Sequence, residues 1–241
     1  MKNSVIRGMK ADYRCDACGN SQQVNIFPYI NFSENPEYYA LVKDLEIFKV
    51  KCEKCGSVKI VQFDTLIVDE THKYFIYLLS DRSLYNRFKY QITYFVETTL
   101  NKDDKYDLDE YKTRLVFSPN DLLEKMNLFE IGLNDEVIEL AKVGLVDRGL
   151  VDRKIYDMLY FDSIQNANLE FVAFSSKSST VKPLKFSINY EFYNRVLDDV
   201  QRFKTRDSQY FAIVDEDSMR SKFKLDQVDA KEEGGGAEPH Q

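Results

Sequence analysis

Two short words, CDACG at Cys15–Gly19 and CEKCG at Cys52–Gly56, hold every cysteine in the chain. A C-x-x-C turn brings two thiolates to one side of the backbone, and a glycine after the second cysteine tolerates the positive φ that this bend demands. Two such turns supply four soft ligands, a tetrahedral set whose default occupant is Zn2+. Residues 19–51 separate the pairs, a longer interval than that of common zinc ribbons. The excess is long enough for a strand, a helix and a second strand. Cys15, Cys18, Cys52 and Cys55 are therefore the expected metal ligands. Iron shares this ligand set. A dithiol redox pair would call for one C-x-x-C ahead of a helix in a βαβ setting, and neither pair precedes a good helix signal. Two disulfides would need an oxidising compartment.

Four thiolates close the coordination shell and leave no position for an activated water, so the expected role of zinc is structural. Such binding contributes about 10–16 kcal/mol to folding in small zinc modules.

Around the pairs, the pattern up to about residue 81 is one of short strands. In NPEYYALVKD, Asn35 is placed to cap a short helix, with Pro36 in its first position and Glu37 in its first turn. EIFKVKC and SVKIVQF read as strands into and out of the second pair. Thr65–Val68 and Tyr74–Leu79 read as a hairpin whose turn contains His72. Tyr90–Leu100 is rich in β-branched and aromatic residues and reads as a further strand, followed by a charged loop, NKDDKYDLDEYK. SPNDLLEKMNLFEIG then predicts a helix with Ser118 as N-cap, Pro119 at N1 and Gly132 as its stop. Leu122, Leu123, Met126 and Phe129 share one face. A second helix after Asn134 turns Val137, Ile138, Ala141 and Leu145 inward, and the short link predicts a helical hairpin.

Beyond LVDRGLVDR, KIYDMLYFDS, NANLEFVAFSS and PLKFSI read as strands, NYEFYNRVLDDVQRFK as a helix, and Tyr210–Asp215 as a last strand. The expected fold is α+β. An N-terminal zinc-ribbon-like antiparallel sheet carries a short inserted helix, and the helical hairpin and a C-terminal α/β extension follow. The expected domains are a zinc-binding domain over 1–150, the extension over 151–225, and a polar tail over 226–241.

The stretches YRCDACG, SENPEYYALVKDLEIFKVKCEKCGSVKIV, LIVDETHKYFIYLLSD and RLVFSPNDLLEKMNLFEIGLNDEVIELAK together resemble the bacterial CpXC domain family, over roughly residues 12–145. That family is named for paired C-P-x-C motifs. This chain has Asp16 and Glu53 where the family has proline, which bears on the rigidity of each turn and not on its ligands. The resemblance implies a metal-binding domain and supplies no catalytic residues.

Chemistry elsewhere is sparse. His72 and His240 are the two histidines, so a hydroxyl or thiol nucleophile has almost no base to activate it. No phosphate-binding glycine loop is present. Asp157, Asp162 and Glu170, with Lys177 beyond, lie on or beside adjacent expected strands and loosely match an acidic hydrolase cluster. A net charge of −7 works against a general attraction to nucleic acid. Locally, Lys49, Lys51, Lys54 and Lys59 surround the second pair and could serve a nucleic-acid-binding ribbon, with nearby Tyr and Phe stacking on bases. The foremost expectation is a non-catalytic interaction or scaffold protein with a protein partner, using an aromatic sheet surface and the helix pair. The N-terminus shows no signal-peptide pattern, and no apolar run reaches membrane-spanning length. A reducing cytoplasm is the expected location, with no membrane contact.

Overall fold

A computed structural model describes residues 8–100, 105–202 and 210–225. The fold is α+β, and its described residues form two compact units. One comprises residues up to 131 with 210–213; the other comprises 132–202 and 214–225.

The first unit begins with a hairpin, β1 (Met9–Arg14) and β2 (Ser21–Ile26), whose turn is the first cysteine pair. The chain then forms β3 (Tyr29–Asn31) and the helix α1 (Glu37–Lys43). The helix lies where the sequence places it, but Asn35 does not cap it. Its side chain turns back to the Asn31 carbonyl, and no side chain caps the helix. The strand expected from EIFKVKC is shorter than its apolar pattern, because Leu45 takes a positive φ of 57° and Glu46–Phe48 winds into a 3-10 turn. Only β4 (Lys49–Lys51) remains extended, and it pairs with β5 (Val58–Ile60) across the second cysteine pair.

Next come β6 (Thr65–Asp69) and β7 (Tyr74–Leu78), the expected hairpin. With β3 and β8 (Lys112–Val116) they make a four-stranded mixed sheet in the order β3-β6-β7-β8, whose outer pairings are parallel. All of β6 is buried, and only Tyr77 of β7 is partly exposed. Coverage on both faces explains why these strands read as unbroken apolar runs and not as alternation. One face carries Leu66, Val68, Phe75 and Leu115 into the core, where Ile92, Val96, Tyr106, Leu108 and Phe211 meet them.

Ile92 and Val96 come from a segment for which the sequence reading needs correction. Residues 90–100 are not a strand: α2 (Tyr85–Phe95) runs into a π-helical turn at Val96–Leu100. Phe88, Ile92 and Val96 recur every fourth residue and face the core, while Tyr90 and Tyr94 are 74% and 68% exposed. The helical period outweighs the β-rich composition. A second correction concerns Tyr210–Asp215, which is not a strand. Phe211 has a positive φ of 61°, which breaks extension, and only Ala212 makes a bridge, to Arg114 of β8. The Phe211 N–H donates to Thr113 Oγ1 at 3.0 Å, and the Phe211 ring enters the core.

The helix α3 (Pro119–Glu130) packs on β7. Ser118 accepts from the Asp121 N–H, Pro119 opens the helix, and Gly132 follows it at φ 75°. These are the features the sequence marks.

In the second unit, α4 (Asp135–Asp147) is capped by Asn134 and buries Val137, Ile138, Ala141 and Leu145 as expected. Strands β9 (Met158–Gln165), β10 (Asn168–Phe174) and β11 (Leu184–Asn189) form an antiparallel sheet. Both residues of the first turn, Asn166 and Ala167, have positive φ, as a tight hairpin requires. The helix α5 (Tyr190–Arg202) follows, then α6 (Glu216–Phe223), which the sequence reading missed. Asp215 and Ser218 form a reciprocal capping box at its start. Both α5 and α6 pack on α4, where the Asn134 N–H donates to Tyr193 Oη at 2.7 Å and Lys222 pairs with Glu136 at 3.0 Å. Both expected helices of the pair are thus present, and each contributes its apolar face to a different unit. The boundary between units falls inside the region that the sequence reading kept as one domain over 1–150. The expected tail over 226–241, with His240, lies outside the described residues.

Candidate metal centre

The two cysteine turns are built alike. In the first, the Cys15 N–H donates to the Asn20 carbonyl and the Gly19 N–H to the Cys15 carbonyl, both at 2.8 Å. In the second, Cys52 N–H meets the Ser57 carbonyl at 2.8 Å and Gly56 N–H the Cys52 carbonyl at 2.9 Å. Gly19 and Gly56 have φ of 69° and 73°. A Cβ at Gly56 would meet nothing within 4 Å, and at Gly19 only the tip of Arg14. Backbone conformation, not lack of space, is what calls for glycine here.

The turns face each other. Cys15 Sγ lies 3.7 Å from Cys55 Sγ, and Cys18 Sγ lies 3.7 Å from Cys52 Sγ. All four sulfurs fall within 4.8 Å of one another, and none is in a disulfide. A zinc–sulfur bond of about 2.3 Å implies a tetrahedral edge of about 3.8 Å. The spacing fits a metal ion and is far too long for S–S bonds, which span about 2.05 Å. Among the described residues, this is the one group of three or more His, Cys, Asp or Glu side chains arranged to hold a metal.

Electrostatics agree with a cation. Ser57 Oγ sits 3.4 Å from Cys15 Sγ and 3.2 Å from Cys55 Sγ. Its hydroxyl, with backbone N–H groups of Ala17 and Cys18, brings the Cys15 thiol down to about 6 and outweighs burial. The same hydroxyl lowers Cys55. At Cys18, the Asn20 N–H acts to lower the thiol, but burial and the three neighbouring thiols push it up to about 11. Four thiolates this close repel one another, and a divalent ion relieves that repulsion.

Sequence reasoning found the four cysteines but missed two supporting residues. Ser57 follows Gly56 directly, so its proximity was legible once the turn was recognised. Gln22 was not. Its amide donates to the Lys51 carbonyl at 3.0 Å and accepts from the Glu53 N–H at 2.9 Å, tying the first hairpin to the second turn. Proline at 53 would remove that N–H, so glutamate in place of the family's proline makes the link available.

Other candidates fall differently. His72 sits in the β6–β7 turn as expected, but it is held. Its Nδ1 lies 2.7 Å from Asp69 Oδ2, and the Thr71 and His72 N–H groups donate to Asp69 Oδ1. Asp157, Asp162 and Glu170 do not converge. Asp157 accepts from the Ser176 N–H and hydroxyl, which lower its pKa, with a smaller contribution from Lys177. Glu170 accepts from Ser187 at 2.7 Å, and Asp162 from Ser163 at 3.2 Å. A β-bulge between Glu170 and Phe171 shifts the register of β10 against β9.

Among the described residues, no helix is long and apolar enough to cross a membrane. Comparison with curated proteins and with solved structures gave no match. The profile of the family described as CpXC protein matches residues 13–142, more than half of the chain, and spans both cysteine turns. That agrees with the resemblance carried by the cysteine motifs, and the chain belongs to the CpXC family.

Proposed function

We propose that this CpXC protein binds one structural Zn2+ through Cys15, Cys18, Cys52 and Cys55, and that it serves as a non-catalytic interaction protein. The single observation that carries the metal reading is the pair of 3.7 Å sulfur–sulfur approaches between the two turns. Bound zinc would neutralise two of the four thiolate charges and cross-link two hairpins that have little apolar core of their own. Unbridged thiols suit a reducing compartment, and we place the protein in the cytoplasm.

The interaction reading is supported by what the hairpins expose. Met9, Val58 and Ile60 are each about half exposed or more, at 56%, 56% and 48%. They are aliphatic, so they provide contact area for a protein and no stacking surface for bases. Lys51, Lys54 and Lys59 are exposed around the second turn, but Lys49 is engaged with Glu46, and Glu53 lies among them. This favours a protein partner over nucleic acid. The test has two arms. Cobalt substitution should give the intense thiolate charge-transfer absorption of a tetrahedral tetrathiolate site, lost in Cys52→Ser; its absence from the unaltered protein would remove the metal reading. Salt-sensitive retention of single-stranded DNA or RNA on a filter would replace the protein partner with a nucleic acid.

A further inference from the structure

The outer edges of β2 and β4 border a cleft of about 500 Å3, floored by Phe27, Tyr38, Leu41 and Ile47. Hydrogen-bond phase shows which backbone groups face it. In an antiparallel pair, residues alternate between bonding their partner and pointing away from it. The bond from Cys15 N–H to Asn20 sets this phase, so Gln22 and Val24 bond toward β1. Gln23 and Asn25 then present their N–H and C=O groups outward. In the second hairpin, the bonds Cys52 N–H to Ser57 and Val61 N–H to Phe48 leave Lys49 and Lys51 pointing away from β5. The Gln22 amide on the Lys51 carbonyl confirms that this edge faces β2.

Two unpaired strand edges therefore face one cleft, pinned together at the cysteine end by Gln22. Among the described residues, no strand pairs with either edge. The Lys49 N–H is taken by the Glu46 carbonyl, which leaves the N–H of Lys51 and the C=O of Lys49 on that side. Open edges of this kind are templates for strand addition, in which backbone bonds supply affinity and pockets read alternate side chains.

We propose that an extended segment of a partner protein, alternating apolar and acidic residues, adds as a strand between β2 and β4. This rests on the interaction reading above. β2 leaves its cysteine turn while β4 enters its own, so the added strand runs parallel to one and antiparallel to the other. Its apolar residues face Leu41, which is 40% exposed, and Tyr38 on the floor. Its acidic residues meet Lys10 and Lys51, which have no ion-pair partner among the described residues. Glu53, at the cysteine end, bars acids there and sets direction.

The test selects phage-displayed random heptapeptides against the zinc-loaded full chain, then measures binding of the enriched peptides to two variants. Asn25→Pro removes an outward N–H without touching the β1 bonds, and Leu41→Glu places a like charge on the floor. Cobalt spectra check that both variants keep the metal site. The expected result is enrichment of alternating apolar and acidic peptides that slow amide exchange at Gln23, Asn25 and Lys51. Both variants should bind them at least tenfold more weakly. Peptides that bind the variants as well as the parent overturn the cleft and leave the interaction reading standing. Failure to enrich any peptide above background overturns strand addition and confines that reading to folded partners.

Discussion

The cysteine hairpins and the four-stranded sheet belong to one compact unit, yet they are held by opposite means. In β6 and β7, nine of ten residues are buried, and rings such as Phe75 and Tyr106 pack edge to face at 5.2 Å. In β5 every residue is exposed, and β1 alternates between exposed and half-buried. Apolar burial contributes about 25 cal/mol per Å2, so the sheet has an ample source of stability and the hairpins have very little. Small segments with little core of their own need a staple, and among the described residues four converging sulfurs are arranged to supply one.

Removing the staple should separate the two regions most. Chelation, or Cys52→Ser, should abolish amide-exchange protection in β1, β2, β4 and β5, with a loss on the order of 10 kcal/mol of local stability. The strands β6 and β7 should keep theirs. Simultaneous loss in both regions would mean that the metal organises the sheet as well. The reciprocal change is Phe75→Ala, which empties a fully buried site in the sheet. It should cost about 3–5 kcal/mol in urea unfolding while the metal content stays at parity with the parent.

Smaller effects sharpen the contrast. Gly56→Ala meets no steric obstacle, so only the positive φ opposes it. The expected cost is about 1 kcal/mol, read as roughly fivefold weaker metal affinity in a competition titration with a chromogenic chelator. In the sheet, a polar network supports β3. Burial alone would raise the Glu70 carboxyl, but Lys105 at 2.7 Å, Asn31 at 2.8 Å and Tyr106 at 3.0 Å outweigh it and hold it below its ordinary 4.5. A depressed carboxylate contributes stability above its unfolded value and loses it as pH falls through the folded one. Sheet stability should therefore decline below about pH 4.5, and Glu70→Gln should flatten that limb of a pH–urea profile.

How much of this was legible in the sequence follows the same contrast. The cysteine site was, because its chemistry is written in residue type and spacing, and Gly19 and Gly56 mark the backbone it needs. So were α3 and α4, whose caps Ser118 and Asn134 are local signals. The failures came where tertiary context outvotes composition. Residues 90–100 look like a strand by propensity, and only the four-residue spacing of Phe88, Ile92 and Val96 reveals the helix. Tyr210–Asp215 looks extended, and nothing local announces the positive φ at Phe211. The carboxylates Asp157, Asp162 and Glu170 lie on or just beside two adjacent strands, but each finds its own serine. Gln22 carries no signature at all, since its role depends on where a second hairpin arrives.

The central claim is that two distant cysteine turns share one metal ion. X-ray absorption at the zinc edge, on protein purified with its native metal, tests it most directly. The account predicts one zinc per chain with four sulfurs at about 2.3 Å. A shell containing nitrogen or oxygen donors, or protein that carries no metal and titrates as two disulfides, would contradict it.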